Sequence, residues 1–202
     1  LDLDGDEVSN YGEHLRQSDP TDAQDTPVFD PVLLIDDDQN QPDGLSGFVS
    51  AFDAAGVDFE YWSTADQGDP NAARLELYEA VLWYTGEAQD DDTGPASSTE
   101  SAIGQYISDG GCFTLSSQDY VFARGFTPLL SEYFGVADVV VDVDTEVVDG
   151  RDIFSDINNA HLDANYPLWL DVIVPAEGAK VAFSSDFGPV AVRQQRAFFF
   201  AF

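Results

Sequence analysis

The sequence predicts a three-layer α/β domain built on a mostly parallel sheet. Continuous apolar runs alternate with amphipathic segments between Val32 and Phe134, which is typical of strands joined by helical crossovers. These runs are apolar on both faces, as strands covered by helices on both sides of a sheet are. Hydrophobic residues make up 44% of the chain, which is enough to bury a core although the formal net charge is −32. We therefore expect a folded domain over residues 32–202 and a linker over residues 1–31.

The first strand and the first helix follow from local patterns. The run from Val32 to Ile35 is apolar throughout and ends in three aspartates, as a strand buried on both faces does. The next apolar residues recur at helical spacing, with Asp43 available as N-cap and Gly56 as terminator. These apolar residues are Leu45, Phe48, Val49 and Phe52.

The remaining crossover elements carry similar signals. Ser97 and Glu100 have the spacing of a capping box and predict a helix that ends at Gly110. A further helix is expected over Thr127–Phe134. The other strands of the parallel part are predicted at Val57–Trp62, Ala80–Tyr84 and Cys112–Leu115.

The last third of the chain changes character, because short turns now separate the apolar stretches. Strands joined in this way pair antiparallel with their neighbours. We therefore expect the sheet to finish with antiparallel C-terminal edge strands. These strands are predicted at Val136–Val143, Lys180–Ser184, Val190–Arg193 and Ala197–Phe202.

The charge of the chain excludes one class of partner. There are 39 Asp and Glu residues against 7 Lys and Arg, and nucleic acids and anionic membranes are bound through clustered basic residues. We expect no nucleic-acid binding and no direct membrane insertion. The acid excess also predicts that molar salt stabilises the fold by screening the repulsion between carboxylates, as in halophilic proteins.

Two features concern the chain as a whole. Cys112 is the single cysteine, so an intrachain disulfide is excluded. The sequence starts at Leu1 within an acidic motif and stops at Phe202 within an apolar run. These two ends suggest that the sequence is a piece of a larger polypeptide.

Oxygen donors near the start of the chain have the spacing of a calcium loop. They fall at the first, third, fifth, ninth and twelfth loop positions, with a backbone carbonyl at the seventh, which is the ligand order of an EF-hand. Glu13 would close the site as a bidentate ligand, whereas Glu7 stands where such loops favour glycine. The predicted calcium ligands are Asp2, Asp4, Asp6, Val8, Asn10 and Glu13.

The stretch from Asp2 to Thr26 also resembles the thrombospondin type 3 repeats of bacterial secreted proteins. It shares their order of acidic loop, Ser-Asn-Tyr-x-Glu and then Asp-Pro-Thr with further acids. The resemblance implies an extracellular, calcium-loaded linker in a multidomain protein. It adds Asp19, Asp22 and Asp25 as candidate ligands.

Polar residues follow three of the predicted parallel strands, at the edge where open α/β sheets bind their ligands. Asp36, Asp37 and Asp38 follow the first strand. They could hold a second cation with help from the acids at 90–92, or form a solvated loop, and both alternatives stay open. We expect a ligand cleft lined by Thr85, Gly86 and Gln118.

The chain from Val32 onward resembles the class I glutamine amidotransferase-like domains of bacterial secreted multidomain proteins. The resemblance rests on the segments Leu34–Asp38, Trp83–Gly86 and Gly110–Tyr120. It implies a flavodoxin-like three-layer sheet. Catalytic members of the wider superfamily place a cysteine on the turn after a strand and use a later histidine as base. Here Cys112 begins its strand, and this departure argues against amidotransferase activity.

A serine nucleophile is the enzymatic alternative. Ser116 or Ser117 would attack, His161 would act as base, and Asp119 or Asp163 would orient the histidine, because a serine needs an adjacent base. The Gly-x-Ser-x-Gly turn of many hydrolases is missing from the sequence.

The function predicted from these observations is a non-catalytic structural or adhesive domain of a larger secreted or cell-surface protein. Calcium would stiffen its linker by bringing together carboxylates that otherwise repel each other. The expected partners are neighbouring domains of the same polypeptide and other surface proteins or glycans. The alternatives are the serine hydrolase and a module that recognises a glycan or another small ligand at the strand ends.

Overall fold

The computed structural model describes residues 18–19, 21–22, 24–25, 30–40, 42–88, 93–162 and 168–202. The strands in these ranges are β1 (Asp30–Asp36), β2 (Glu60–Ser63), β3 (Tyr78–Tyr84), β4 (Cys112–Ser116), β5 (Val136–Asp144), β6 (Val147–Gly150), β7 (Ala160–His161), β8 (Trp169–Pro175), β9 (Lys180–Ser185), β10 (Gly188–Gln194) and β11 (Ala197–Phe200). The helices are α1 (Leu45–Ala55), α2 (Thr64–Gln67), α3 (Ala72–Leu75), α4 (Ser97–Ser108) and α5 (Tyr120–Arg124), with a π-helical turn over Leu129–Tyr133 and a 3₁₀ turn over Asp152–Phe154.

Within the described residues, nine strands form one sheet in the order β2-β1-β3-β4-β11-β10-β9-β6-β7, and β5 pairs with β8 in a separate two-stranded sheet. The first five strands of this order are parallel to one another. The remaining four continue the sheet with antiparallel pairing. The succession 2-1-3-4 followed by one more parallel strand is the flavodoxin-like order, so the predicted fold class is confirmed.

The strand β11 lies inside the sheet, where the sequence placed an edge strand. It pairs parallel with β4 on one side and antiparallel with β10 on the other. Phe199 on β11 is completely buried. The antiparallel half of the sheet is therefore confirmed, and its edge consists of β6 and β7.

The core lies on both faces of the central strands. On one face, the rings of Phe113, Phe134 and Phe199 contact one another, and Tyr120 meets Phe199 edge to face. A second cluster forms around Phe183, under the antiparallel strands. Burial of this apolar surface is the main term that stabilises the fold against the acid repulsion.

Helix α1 covers the start of the parallel sheet but has no fully buried residue. It attaches through rings, because Phe48 stacks on Tyr84 at 4.2 Å and Phe52 stacks on Phe59 at 4.8 Å between centroids. Gly56 ends the helix as predicted, with φ at 65°. The first turn of α1 therefore lies beside the end of β3.

The predicted capping box at the start of α4 is wrong. Ala96 is the N-cap residue, and no side chain caps the helix. Ser97 instead accepts a hydrogen bond from Arg124, and Glu100 accepts one from the Tyr120 hydroxyl at 2.8 Å. Both side chains therefore accept hydrogen bonds from residues of α5. The spacing of Ser97 and Glu100 in the sequence does not reveal these donors.

Several predicted elements differ in type or extent. The helix expected over Thr127–Phe134 is a π-helical turn, and α5 precedes it. Strands β6, β7 and β8 were not predicted. Asp171 interrupts the apolar residues of β8, so this strand lacks the apolar continuity that marks the central strands, and Trp169 at its start is 55% exposed.

Residues 1–17 lie outside the described residues, and so does the predicted calcium loop. No helix in the described part of the chain has the length and apolar character needed to cross a bilayer.

Candidate functional site

Three carboxylates meet where β1 ends. Asp36 and Asp38 are buried, Asp43 is exposed just before α1, and one oxygen of each lies within 4.8 Å of the others. Parallel pairing of β1 with its neighbours places Tyr84 of β3 opposite Asp36, and Tyr61 of β2 opposite Leu34. Acidic and phenolic side chains therefore converge at the carboxyl edge of the sheet.

Two tyrosines face Asp36. The Tyr61 hydroxyl donates a hydrogen bond to Asp36 Oδ2 at 2.7 Å. Partial burial, followed by this bond to the carboxylate, raises the pKa of Tyr61 to about 12. Burial, with the same carboxylate next, raises the pKa of Tyr84 well above its usual range. Both phenols therefore keep their protons at neutral pH.

Asp38 is held by the backbone that follows it. Its Oδ1 accepts a hydrogen bond from the Asn40 N–H at 2.7 Å, and its Oδ2 accepts one from the Gly44 N–H at 2.6 Å. Burial raises the pKa of Asp38, and the two backbone bonds oppose this effect. Gly86 is necessary beside it, because its φ is +55° and a Cβ there would lie 2.9 Å from Asp38 Cβ.

Asp43 organises the start of α1. Its Oδ1 accepts a hydrogen bond from the Leu45 N–H at 2.9 Å, while Gly44 is the N-cap residue by position. Asp43, predicted as the N-cap, therefore stands one residue before it, and its side chain stays exposed at the edge of the acidic cluster.

Asp37 has different surroundings from its two neighbours. Thr64 Oγ1 donates to its Oδ1 at 2.5 Å, and Trp83 Nε1 and the Gly94 N–H donate to its Oδ2 at 3.0 and 3.1 Å. Burial is the largest influence on the pKa of Asp37 and raises it. Asp37 therefore joins the loop after β1 to β3 and to the segment before α4.

A cleft of about 460 Å³ opens beside the three carboxylates. Asp43 and Gly44 stand at its rim, where the acidic cluster meets the cleft. Its walls include Phe48, Tyr84, Gly86, Glu87, Ser116, Gln118 and Phe202. The cleft lies at the carboxyl ends of β1, β3 and β4, which is where parallel α/β sheets bind ligands.

The predicted cleft residues divide into two groups. Gly86 and Gln118 line the cleft. Thr85 is completely buried behind it, and its Oγ1 donates a hydrogen bond to Ser117 Oγ at 2.8 Å. Thr85 therefore supports the turn after β4 and does not contact the cleft.

The structure does not link the serines to the predicted base. Ser116 Oγ donates to the Phe202 carbonyl at 2.6 Å, and Ser117 is 1% exposed. His161 is exposed on β7, the outermost strand of the sheet, and neither described serine hydrogen-bonds to it. Asp119 is the N-cap residue of α5, and Asp163 lies outside the described residues. The catalytic role of this group stays a prediction.

Cys112 lies at the other end of β4 from the cleft. The side chain is half-buried, and burial raises the pKa of its thiol. A neutral thiol is a weak nucleophile. The position and protonation of Cys112 both differ from what cysteine-dependent chemistry in the cleft would need.

The N-terminal calcium candidates are only partly described. Asp25 accepts a hydrogen bond from the Asp19 N–H at 2.9 Å, and Asp22 accepts one from the Gln24 N–H at 3.1 Å. These bonds are those of local turns. The ligands predicted between Asp2 and Glu13, and the acids at 90–92, lie outside the described residues. Calcium binding there stays a prediction.

The sequence analysis did not assign Asp43, Tyr61, Tyr84 or Glu87 to this site, and Glu87 was not singled out at all. Asp43 was recognised only as a helix cap, and Tyr61 and Tyr84 only as strand residues. The signal that could have found the tyrosines is their place near the carboxyl ends of two strands that flank β1. Using that signal requires the strand order, which the sequence pattern does not specify.

Neither a protein-family model nor any curated protein matches the sequence. Solved structures do match in fold. A cytoplasmic protein from Salmonella typhimurium is 16% identical, with a TM-score of 0.57 over 84% of this chain and 86% of that one. A glutamine amidotransferase from Thermotoga maritima is 14% identical, with a TM-score of 0.57 over 87% of this chain and 76% of that one. A glutamine amidotransferase from Methylobacillus flagellatus is 12% identical, with a TM-score of 0.55 over 86% of this chain and 70% of that one.

These likenesses show an amidotransferase-like, flavodoxin-like fold, as the resemblance implied. They also correct the predicted function. The chain was expected to be a non-catalytic structural or adhesive domain, whereas the solved proteins with its architecture include glutamine amidotransferases, which are enzymes. Nothing in the comparisons supports the thrombospondin type 3 resemblance.

Proposed function

We propose that this chain is a hydrolase that acts on a small, uncharged or cationic substrate in the cleft at the strand ends. The main support is the cleft itself, about 460 Å³ in volume and placed at the carboxyl ends of β1, β3 and β4. Enzymes with parallel α/β sheets bind their substrates at this edge, in clefts of this size.

The lining of the cleft favours a substrate without negative charge. Asp43 and Glu87 contribute carboxylates, and no Lys or Arg lines the cleft in the described part of the chain. An anion entering it would be repelled by both carboxylates. Phe48 and Phe202 supply apolar walls, while Ser116 and Gln118 supply polar groups that can orient an amide or a hydroxyl.

Glu87 is the best-placed general base, because it is a half-buried carboxylate in the wall of the cleft. In an amide hydrolysis it would take a proton from water as the water oxygen attacks the carbonyl carbon. The carbon–nitrogen bond would then break, and the amine would leave with that proton. Cys112 takes no part, because it lies at the opposite end of β4. The fold of glutamine amidotransferases makes amides the first substrate class to examine.

The experiment compares turnover of chromogenic amides, esters, glycosides and phosphates by variants of the cleft. A Cβ on Gly47 has nothing within 4 Å, so Gly47→Trp should fill the cleft without a backbone clash. Ala54, further along α1 and exposed, gives the matched control Ala54→Trp. We expect the wild type and Ala54→Trp to hydrolyse an uncharged or cationic compound and Gly47→Trp to lose that activity.

A second pair of variants tests the base. Glu87→Gln should abolish turnover, whereas Glu79→Gln, at an exposed position of β3, should leave it unchanged. Loss of activity in Cys112→Ser, equal activity in Gly47→Trp and the wild type, or no turnover of any compound would contradict the proposal.

A further inference from the structure

We infer that Asp36, Asp38 and Asp43 form a site for one divalent cation at the rim of the cleft. One oxygen of each carboxylate lies within 4.8 Å of the other two. Calcium binds carboxylate oxygens at roughly 2.3–2.6 Å, so oxygens within 4.8 Å of one another can surround a single calcium ion, whereas magnesium, at roughly 2.0–2.1 Å, requires them to move closer. Hard oxygen ligands of this kind favour calcium, magnesium or manganese over softer metals.

The negative charge of these carboxylates is not balanced by a basic side chain among the described residues. In the residues that the structure describes, no Lys or Arg forms an ion pair with any of the three. Their hydrogen bonds come from neutral donors, the Tyr61 hydroxyl and the N–H groups of Asn40 and Gly44 among them. Carboxylates this close to each other need either a shared proton or a cation to relieve their repulsion.

Tyr84 provides an independent sign of a missing partner. It is 1% exposed and pairs with Asp36 across the sheet, and a Cβ on Gly44 would lie 3.3 Å from Asp38 Oδ2 and 3.5 Å from the Tyr84 ring. The hydroxyl makes no hydrogen bond of normal geometry with any described group. Buried hydroxyls almost always have a partner. A cation at the three carboxylates, or a water bound to that cation, would supply one to the phenol oxygen.

The cluster does not simply consist of consecutive aspartates in the chain, because Asp37, which lies between Asp36 and Asp38, is excluded from it. Both oxygens of Asp37 are occupied by Thr64, Trp83 and Gly94, on the other side of the loop. Asp43, six residues away from Asp37 in the chain, completes the cluster instead. Each carboxylate in the cluster has lone pairs beyond those its hydrogen bonds use, so ligation does not require these bonds to break.

A cation at this rim would give the cleft a positive centre beside its acidic wall. It could then polarise the carbonyl of a substrate bound in the cleft. This role rests on the proposed hydrolase function. Binding of the cation does not, because it depends only on the three carboxylates.

The test is a calorimetric titration with Ca²⁺ and, separately, Mg²⁺. All chains carry Glu13→Ala, which removes the closing ligand of the predicted N-terminal loop. Asp43→Asn keeps an oxygen for the Leu45 N–H and removes one charge from the cluster. Asp53→Asn removes one charge from an exposed position of α1, away from the cluster, and is the matched control.

We expect one ion to bind per chain, with a Kd raised about tenfold or more by Asp43→Asn and changed less than about twofold by Asp53→Asn. Equal effects of the two substitutions would show that the ion responds to overall charge, and this would overturn the inference. So would the absence of one-ion binding in the Glu13→Ala chain, which would leave a shared proton as the neutralising group.

The Gly47→Trp chain separates this inference from the proposed function. It should bind the ion with unchanged affinity while it loses turnover. An ion that binds at the carboxylates of a chain with no hydrolytic activity would contradict the hydrolase and leave the cation site standing. Turnover that persists in Asp43→Asn, together with the absence of one-ion binding in every variant, would contradict the cation site and leave the hydrolase standing.

Discussion

The indole nitrogen of Trp83 donates a hydrogen bond to Oδ2 of Asp37 at 3.0 Å, in the interior of the parallel sheet. Trp83 lies on β3 and is completely buried, and Asp37 is the first residue after β1. The bond therefore fixes the start of the loop that carries Asp38 and Asp43. A buried carboxylate requires such donors, and here they set the position of the acidic rim.

Removing this donor should destabilise the fold. We expect Trp83→Phe to lower the free energy of unfolding by about 1–3 kcal/mol, because Asp37 keeps its burial and loses one of its hydrogen bonds. Urea unfolding measures the change. Trp169→Phe is the control, since Trp169 is 55% exposed, and it should stay within about 0.5 kcal/mol of the wild type. Equal losses in the two variants would contradict this account of Asp37.

Two helical glycines should respond in opposite directions to alanine. A Cβ on Gly104 of α4 would lie 2.8 Å from the Tyr133 ring, so Gly104→Ala should cost about 1–3 kcal/mol by overpacking. A Cβ on Gly47 of α1 would meet nothing within 4 Å, so Gly47→Ala should gain about 0.5–1 kcal/mol from helix propensity. Thermal unfolding of both variants tests this, and a gain in Gly104→Ala would show that α4 does not pack on Tyr133.

The hydroxyl of Tyr120 joins α5 to its neighbours. It donates to Glu100 Oε1 at 2.8 Å and lies 2.9 Å from Thr127 Oγ1, and all three residues are buried. We expect Tyr120→Phe to lower the free energy of unfolding by about 1–3 kcal/mol, because Glu100 is left buried with fewer donors. Denaturant unfolding gives the value. Tyr61→Phe, which changes a partly exposed ring, should cost less, and the opposite order would count against this network.

The buried aspartates should make stability fall as the pH rises. Burial raises the pKa of both Asp37 and Asp38 in the folded chain above the ordinary value of 3.8. Their stabilising contribution is therefore fully present below pH 3.8 and is lost as the pH rises through their folded values.

Urea unfolding between pH 3 and 7, with a chelator present, tests this dependence of the Asp38 carboxyl. The decrease in the free energy of unfolding with pH should be smaller in Asp38→Asn than in the wild type. The same slope in both chains would show that the folded state does not raise the pKa of Asp38.

The parallel part of the fold could be predicted because its strands are continuous apolar runs. Most residues of Val32–Ile35 and Ala80–Tyr84 are buried, and the two ranges are apolar throughout, which leaves a clear pattern in the sequence. The strands β6 to β8 could not be predicted, because they are short or partly exposed and depend on pairing with distant strands. The inner position of β11 follows from tertiary pairing, which local patterns do not encode.

The site was predictable only in part. Asp36 and Asp38 were recognised from their place after a buried strand, and Gly86 and Gln118 from the same rule applied to β3 and β4. The separation of Asp37 from its neighbours depends on the Trp83 side chain, 46 residues away in the chain. No spacing rule within the acidic triplet reveals which of the three buried carboxylates bonds to that side chain.

The most direct test of the account is to locate the bound substrate by two-dimensional NMR of the ¹⁵N-labelled chain. The compound used is the one that the wild type hydrolyses fastest, added to the inactive Glu87→Gln variant. We predict that the largest amide shifts fall at Gly44, Gly47, Gly86 and Gln118, around the cleft. Shifts that instead centre on Cys112, at the opposite end of β4, would contradict the claim that the cleft at the ends of β1, β3 and β4 is the active site.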